Sequence, residues 1–261
     1  MIGTAWDPDK YQQFGDERSR PAQDLMDRIP DFPATSILDL GCGAGGQAIE
    51  LTARWPDATV TAIDSSATML KKARDTHGDH VTWIEASIDT FEPPEPLDLI
   101  YSNAALQWLD DHETLFPKIA SWLKPGGFLA IQMPRNFDAP SHQIMRDVAK
   151  DNRWASRMKG VRDVSPVADP ARYYEILRPH VQHLDIWETT YTHVLDGDDP
   201  VAHWAKSTGL RPFLNRLDDE AEQEAFFQAY AERLRDPYPK QTDGVTLFPF
   251  QRLFMVGQSR D

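Results

Sequence analysis

The chain has 261 residues, 41% hydrophobic and 26% charged, with 41 acidic against 27 basic side chains and a formal net charge of −14. That length suffices for one large α/β domain with an insertion, or for two small domains, and for a sizeable core. The acidic balance repels a phosphate backbone and argues against nucleic acid, and no apolar run reaches the roughly 18 to 20 residues that a membrane helix needs.

Ahead of the first strand, Trp6, Tyr11 and Phe14 mark an aromatic segment within residues 1–30. It reads either as a helical lid over a ligand or as a docked hydrophobic helix. From residue 36 to 133, short apolar runs alternate with helical stretches, the pattern of successive βα units on a parallel sheet. Strands are predicted at 36–40, 59–63, 81–85, 97–102 and 128–133, and helices near 45–55, 66–76 and 110–123. Lys124-Pro-Gly-Gly127 is expected to stop the last of these helices and turn the chain into the fifth strand. Beyond Pro134 the rhythm changes. Helical stretches at 141–153 and 169–177 lead to a β-like run at 183–194, a polar helical block from 200 to 235 and a final strand at 250–257. These elements predict an α/β fold: a doubly wound, mostly parallel seven-stranded sheet with a helical cap. Residues 31–136 would form the core, 137–247 the cap insertions with the sixth strand, and 248–261 the last core strand.

The sharpest local signal is Asp39-Leu-Gly-Cys-Gly-Ala-Gly45, directly after an apolar strand and opening a helix. Glycines let the backbone approach a ligand closely, and a helix N-terminus offers free N–H groups and a partial positive charge. A plain strand-to-helix turn would not require three glycines at alternate positions. Gly41-x-Gly43-x-x-Gly46 also fits the dinucleotide fingerprint, so the glycines alone admit either a nicotinamide dinucleotide or S-adenosylmethionine. Asp39 separates the two, because a carboxylate there suits the cationic methionine end of S-adenosylmethionine and would repel a pyrophosphate. Asp64, ending the second strand, is placed to accept from ribose hydroxyls. Met69 packs either on an adenine face or against the sheet, and Ala86, Ser87 and Ile88 would frame the adenine edge. Asn103, after the fourth strand, is the candidate for the methionyl amino group.

Seven segments carry a wider resemblance: Glu17-Arg-Ser-Arg-Pro21, Asp39-Leu-Gly-Cys-Gly43, Ile63-Asp-Ser-Ser66, Leu106-Gln-Trp108, Gln132-Met-Pro134, Thr208-Gly-Leu-Arg-Pro212 and Arg252-Leu-Phe254. Together they resemble the trans-aconitate 2-methyltransferase family over nearly the whole chain. The glycine loop is common to the class I S-adenosylmethionine-dependent superfamily, whereas the first and the last three segments are particular to the narrower family. The resemblance implies a Rossmann-like methyltransferase fold. It also implies transfer of a methyl group from S-adenosylmethionine to one carboxylate of trans-aconitate, giving a monomethyl ester and S-adenosylhomocysteine.

A carboxylic acid with a pKa near 4 is already ionised at pH 7, so its attack on a sulfonium methyl needs no general base. In agreement, no Ser/His/Asp or Cys/His constellation is visible, and the eight histidines show no metal-like spacing. Catalysis would rest on positioning, with Gln107, Trp108 and Arg211 as the residues that orient the acceptor. The remaining carboxylates of a polycarboxylate need partners in a dry pocket, and arginine holds a carboxylate bidentately. Arg211 ranks first, then Arg18 and Arg252, with Arg20 and Arg135 behind them; a solvated ion pair is the alternative for each. Tyr11, Gln107, Trp108, Tyr174, Trp204 and Thr208 would supply walls and polar contacts. Tyr173 and Tyr174 are adjacent, so at most one of them faces a ligand. His142 and His203 read as surface or capping residues.

Another small carboxylic acid as acceptor, or a non-catalytic S-adenosylmethionine-binding module, are the rival readings. A nucleobase amino-methyltransferase would show an Asn-Pro-Pro-Tyr type segment where this chain has Asn103-Ala-Ala-Leu106. With Cys42 as the single cysteine and no basic, apolar leader, a cytoplasmic protein is expected. Its partner would be a small polycarboxylate, with neither nucleic acid nor membrane involved, and its state a monomer or weak dimer.

Overall fold

Ile37, Leu38, Asp39 and Leu40 are all buried, the pattern of a strand covered on both faces, and this run forms the middle of a parallel sheet. The computed structural model describes residues 15–161 and 165–260, with side chains from residue 19. In chain order its elements are α1 (Gly15–Arg28), β1 (Ser36–Leu40), α2 (Gly46–Arg54), β2 (Thr59–Asp64), α3 (Ala67–His77), β3 (Thr82–Glu85) and β4 (Leu97–Asn103). A single 3-10 turn (Leu106–Trp108) precedes α4 (His112–Ala120), β5 (Leu123–Pro134), α5 (Pro140–Ala149), α6 (Pro170–Leu177) and β6 (Val181–Leu195). The chain closes with α7 (Pro200–Lys206), α8 (Arg211–Leu214), α9 (Glu220–Leu234) and β7 (Thr246–Ser259).

The seven strands lie in the order β3-β2-β1-β4-β5-β7-β6. β1 to β5 are mutually parallel, and β7 enters antiparallel between β5 and β6. The order reverses between β1 and β4, which opens a crevice at the carboxyl edge of the strands. Apolar clusters cover both faces, so the sheet is doubly wound. One holds Phe116, Ile119, Tyr173 and Leu177 from α4 and α6. The other holds Leu25 and Met26 of α1, Leu51 of α2 and Leu70 of α3. A third cluster joins α5, α7, α8 and α9 to Phe248 and Phe250 of β7, through Trp204, Phe226, Phe227 and Tyr230. The cap therefore has its own core, anchored on the strand that returns to the sheet.

Several boundaries differ from the sequence reading. The helix expected over 110–123 ends at Ala120, and Lys124-Pro-Gly-Gly127 lies inside β5 instead of preceding it. Leu123 pairs with Leu97, and pairing resumes with Phe128 opposite Leu99, so the proline-glycine run sits at a break in register inside the strand rather than ahead of it. The polar block from 200 to 235 breaks into α7, α8 and α9, and the final two strands are longer than expected.

Candidate cofactor and acceptor site

The loop after β1 is built for close approach. Gly41, Gly43 and Gly45 all have positive φ, at 76°, 55° and 87°. A Cβ on Gly41 would lie 2.3 Å from Ala105 Cβ, and one on Gly45 would lie 2.4 Å from the Trp83 ring. Gly41 and Gly45 thus combine a left-handed backbone with contacts that leave no room for a side chain, whereas Gly43 is required for its backbone conformation alone. The loop is tied to β2 by Gly41 and Cys42 N–H groups donating to Ile63 O at 2.8 and 3.0 Å. Asp64 completes the tie: Oδ2 accepts from Gly43 N at 2.9 Å and Oδ1 from Ser66 N at 2.8 Å.

Asp39 is buried, and its pKa is pushed up to about 8, first by burial and then by the neighbouring charge of Asp64. Among the described residues its Oδ2 has no hydrogen-bond partner, and the same holds for Asn103 Oδ1, at the end of the adjacent strand β4. Two buried acceptors awaiting donors fit an ammonium group, and a cation beside Asp39 would relieve the cost of its charge. Met69 is half-buried, with its Cε 3.4 Å from where a Gly43 Cβ would stand, while Leu70 and Ala73 are the residues that α3 buries. Ala86 N donates to Asp64 O, and Ile88 Cδ1 stands 3.7 Å from the Gly41 Cβ position. Asp39, Gly41, Gly43, Asp64, Met69, Ala86, Ser87, Ile88 and Asn103 thus surround one loop at one edge of the sheet, and the residues present fit S-adenosylmethionine.

On the other half of that edge, Arg252 of β7 is 5% exposed, with its guanidinium 4.8 Å over the Phe250 ring. Its Nη1 donates to Gln132 Oε1 on β5 at 3.3 Å. Tyr191 of β6 donates its hydroxyl to Asp24 Oδ2 of α1 at 2.5 Å, and Arg20 lies over the same ring at 5.3 Å. No sequence signal singles out Gln132, Tyr191 or Asp24 as a contact residue. Only the Gln132-Met-Pro134 segment of the resemblance points toward them.

Gln107 and Trp108 ride on the 3-10 turn, where Gln107 Nε2 donates to Ala104 O at 2.6 Å and Trp108 is 50% exposed. Buried His112 secures that turn. Its Nε2 meets Leu106 O at 2.9 Å and its Nδ1 meets Tyr173 Oη at 2.6 Å, while Ala168 N donates to the same hydroxyl. A carbonyl only accepts, so Nε2 carries the proton and Nδ1 accepts from the tyrosine. No motif announced His112.

Arg211 opens α8, part-buried after Thr208-Gly-Leu210, and its N–H donates to Thr208 O at 3.2 Å. Gly209 lies against His142, whose Nε2 would be 3.2 Å from a Cβ there; burial, then Arg146, lowers the His142 pKa to about 4. Trp204 is buried and stacks on His193 at 4.6 Å, beside Phe250. It touches the Arg252 neighbourhood through Phe250 and belongs to the cap core.

Two expected contacts go elsewhere. Arg135 binds Asp169 and, at 2.9 Å, Glu188, and its Nε donates to Ala168 O. Strand alternation also turns it to the face opposite Gln132, so it braces β5 against β6 and the start of α6. Tyr174 is 51% exposed on α6, above a shallow groove with Glu175 and Arg178, while its neighbour Tyr173 points inward. Helical spacing lets only one of an adjacent pair face the core. Trp6, Tyr11, Phe14 and the side chain of Arg18 lie outside the described residues.

Residues 37–127 match a family described as a methyltransferase domain. Among solved structures, the chain is similar to phosphoethanolamine N-methyltransferase 2 of Haemonchus contortus, solved with S-adenosyl-L-methionine (TM-score 0.58, 17% identity, 93% of this chain). It spans 53% of that longer chain. It is also similar to the YcgJ protein of Bacillus subtilis (TM-score 0.59, 14% identity, 93% of this chain and 99% of that one). The fold and the loop define the class: a Rossmann-like methyltransferase whose cofactor is S-adenosylmethionine. Narrower kinship comes from proteins named trans-aconitate 2-methyltransferase. That of Azoarcus sp. (strain BH72) is 45% identical over 96% of this chain and 98% of its own. Those of Streptomyces coelicolor (45%, over 97% and 86%) and Yersinia pestis (44%, over 98% and 98%) are similarly related. The chain belongs to the trans-aconitate 2-methyltransferase family.

Proposed function

We propose that the protein transfers a methyl group from S-adenosylmethionine to one carboxylate of trans-aconitate, forming a monomethyl ester. The observation that carries this reading is identity of 44–45% to proteins of that one name along nearly the full chain. When bound, S-adenosylmethionine supplies an electrophilic methyl on a sulfonium. This chain's own residues then hold and orient. Asp39 and Asn103 receive the methionyl ammonium, Asp64 accepts from the ribose hydroxyls, and Met69 with Ala86, Ser87 and Ile88 borders the adenine. The Leu106–Trp108 turn, held by His112, presents Gln107 and Trp108 to the acceptor. Arg211 and Arg252 hold carboxylates that do not react, with Arg18 as a further candidate. No residue need remove a proton, because the acid is ionised at pH 7; alignment and exclusion of water do the work.

The single cysteine suits a reducing compartment, and among the described residues no helix is long and apolar enough to cross a membrane. We read the protein as a cytoplasmic monomer or weak dimer. The test is an incubation with methyl-labelled S-adenosylmethionine and a panel of di- and tricarboxylic acids that includes both aconitate isomers. Base-labile label on trans-aconitate is expected. Label only on another acid would change the assigned acceptor, and no ester on any acid would refute the reading.

A further inference from the structure

Asp39, Asn103, Gln132 and Arg252 form a row along one face of the sheet at its carboxyl edge. Asp39 stands beside Tyr101, two residues before Asn103 on β4; Asn103 stands beside Gln132 on β5; Arg252 on β7 stands opposite Pro134, two residues beyond Gln132. Even spacing along a strand keeps side chains on one face. Three atoms of this row have no hydrogen-bond partner among the described residues: Asp39 Oδ2, Asn103 Oδ1 and Gln132 Nε2. The first two are acceptors and the third is a donor. The character of the row therefore changes sign between β4 and β5.

The amide orientation of Gln132 follows from chemistry. Its partner Arg252 Nη1 can only donate, so Oε1 faces the guanidinium and the NH2 group is left over. Gln132 is fully buried, and a buried donor without an acceptor is costly. Its main-chain carbonyl already accepts from Ala104 N at 2.9 Å, so the strand does not need the side chain for that link. Beside a guanidinium, the group that best satisfies a spare N–H is an anion.

We propose that Gln132 Nε2 and Arg252 together clamp a non-reacting carboxylate of the acid, making Gln132 a specificity-determining residue. A neutral amide beside a guanidinium adds a donor without adding a charge. It also offers donors from two directions, as a planar anion requires. This deepens the trans-aconitate reading and rests on it.

The test compares Gln132→Glu with Gln132→Leu in steady-state kinetics with trans-aconitate at saturating S-adenosylmethionine. Calorimetry measures S-adenosylhomocysteine binding, and acid binding to the S-adenosylhomocysteine-loaded protein. If Gln132 only supported Arg252, Gln132→Glu would keep or strengthen that contact and leave the acid's KM within threefold of wild type, which would overturn the proposal. The clamp instead predicts that Gln132→Glu raises KM at least 100-fold by repulsion, and Gln132→Leu about 10- to 150-fold. S-adenosylhomocysteine affinity stays within twofold in both. Should Gln132→Glu fail to fold, Gln132→Met, of similar volume and without an N–H, carries the same expectation as Gln132→Leu. Ester formation by the wild type together with an unchanged KM in the variants would sink the clamp alone. A wild type that esterifies no acid would sink the functional reading and the clamp with it.

Discussion

The two halves of the sheet's carboxyl edge are constructed differently. The half proposed to hold the cofactor, from Asp39 to Asn103, relies on main-chain conformation: left-handed glycines, N–H groups tied to β2, and buried carboxyl and amide oxygens. The half proposed to hold the acid relies on side chains brought from far apart in sequence, with Gln132 of β5 joined to Arg252 of β7 and Tyr191 of β6 joined to Asp24 of α1. Damage to the first half should therefore act through backbone strain and be felt by fold and cofactor together. Damage to the second should separate acid capture from cofactor affinity.

The harshest way to break the first half is Gly41→Ala. The new Cβ meets Ala105 at 2.3 Å from a backbone at φ 76°, so strain and overpacking should together cost about 2–5 kcal/mol. Denaturant unfolding should register this, and calorimetry should find S-adenosylhomocysteine binding lost. Asp39→Asn sharpens the comparison, because it should stabilise the apoprotein while weakening the cofactor. The raised pKa of Asp39 means that its folded form holds a proton which the unfolded chain releases. The contribution of Asp39 to wild-type stability is thus full below about pH 4 and declines as pH rises toward about 8. The uncharged amide of the variant removes this decline, so its advantage over the wild type should grow as pH rises from about 4 to about 8. Thermal melts across this range check it, and wild-type cofactor binding at pH 7 should release roughly one proton per site.

Arg211→Ala probes the second half. Loss of a charged hydrogen bond should weaken acid capture by about 1.5–3 kcal/mol while S-adenosylhomocysteine affinity holds, and equal loss of both would point to misfolding instead. The smallest expected effect is that of Tyr173→Phe. It removes the hydroxyl between His112 Nδ1 and Ala168 N, costing about 1 kcal/mol of stability. Because His112 holds the turn that carries Gln107 and Trp108, kcat should fall more than KM rises. An unchanged kcat would remove the turn from the account.

The same contrast explains what the sequence disclosed. Asp39-Leu-Gly-Cys-Gly-Ala-Gly45 is legible because three left-handed positions admit little else, and all five parallel strands are legible from their apolar runs. The early start of β5 is not, because Pro-Gly-Gly reads as the turn ahead of a strand unless Leu123 is known to pair with Leu97. The Gln132–Arg252 contact depends on β7 inserting antiparallel beside β5, a long-range pairing that no local periodicity declares. Arg135 misleads for the same reason, since its partners Asp169 and Glu188 arrive from other elements. His112 gives no signal because a buried histidine and a surface one look alike in a helical run.

A crystal structure of the complex with S-adenosylhomocysteine and trans-aconitate tests the division of the edge most directly. The methionyl ammonium should lie at Asp39 and Asn103, and a carboxylate of the acid within hydrogen-bond distance of Gln132 Nε2 and Arg252. An acid seated away from β5 and β7, with Gln132 Nε2 still lacking an acceptor, would contradict it.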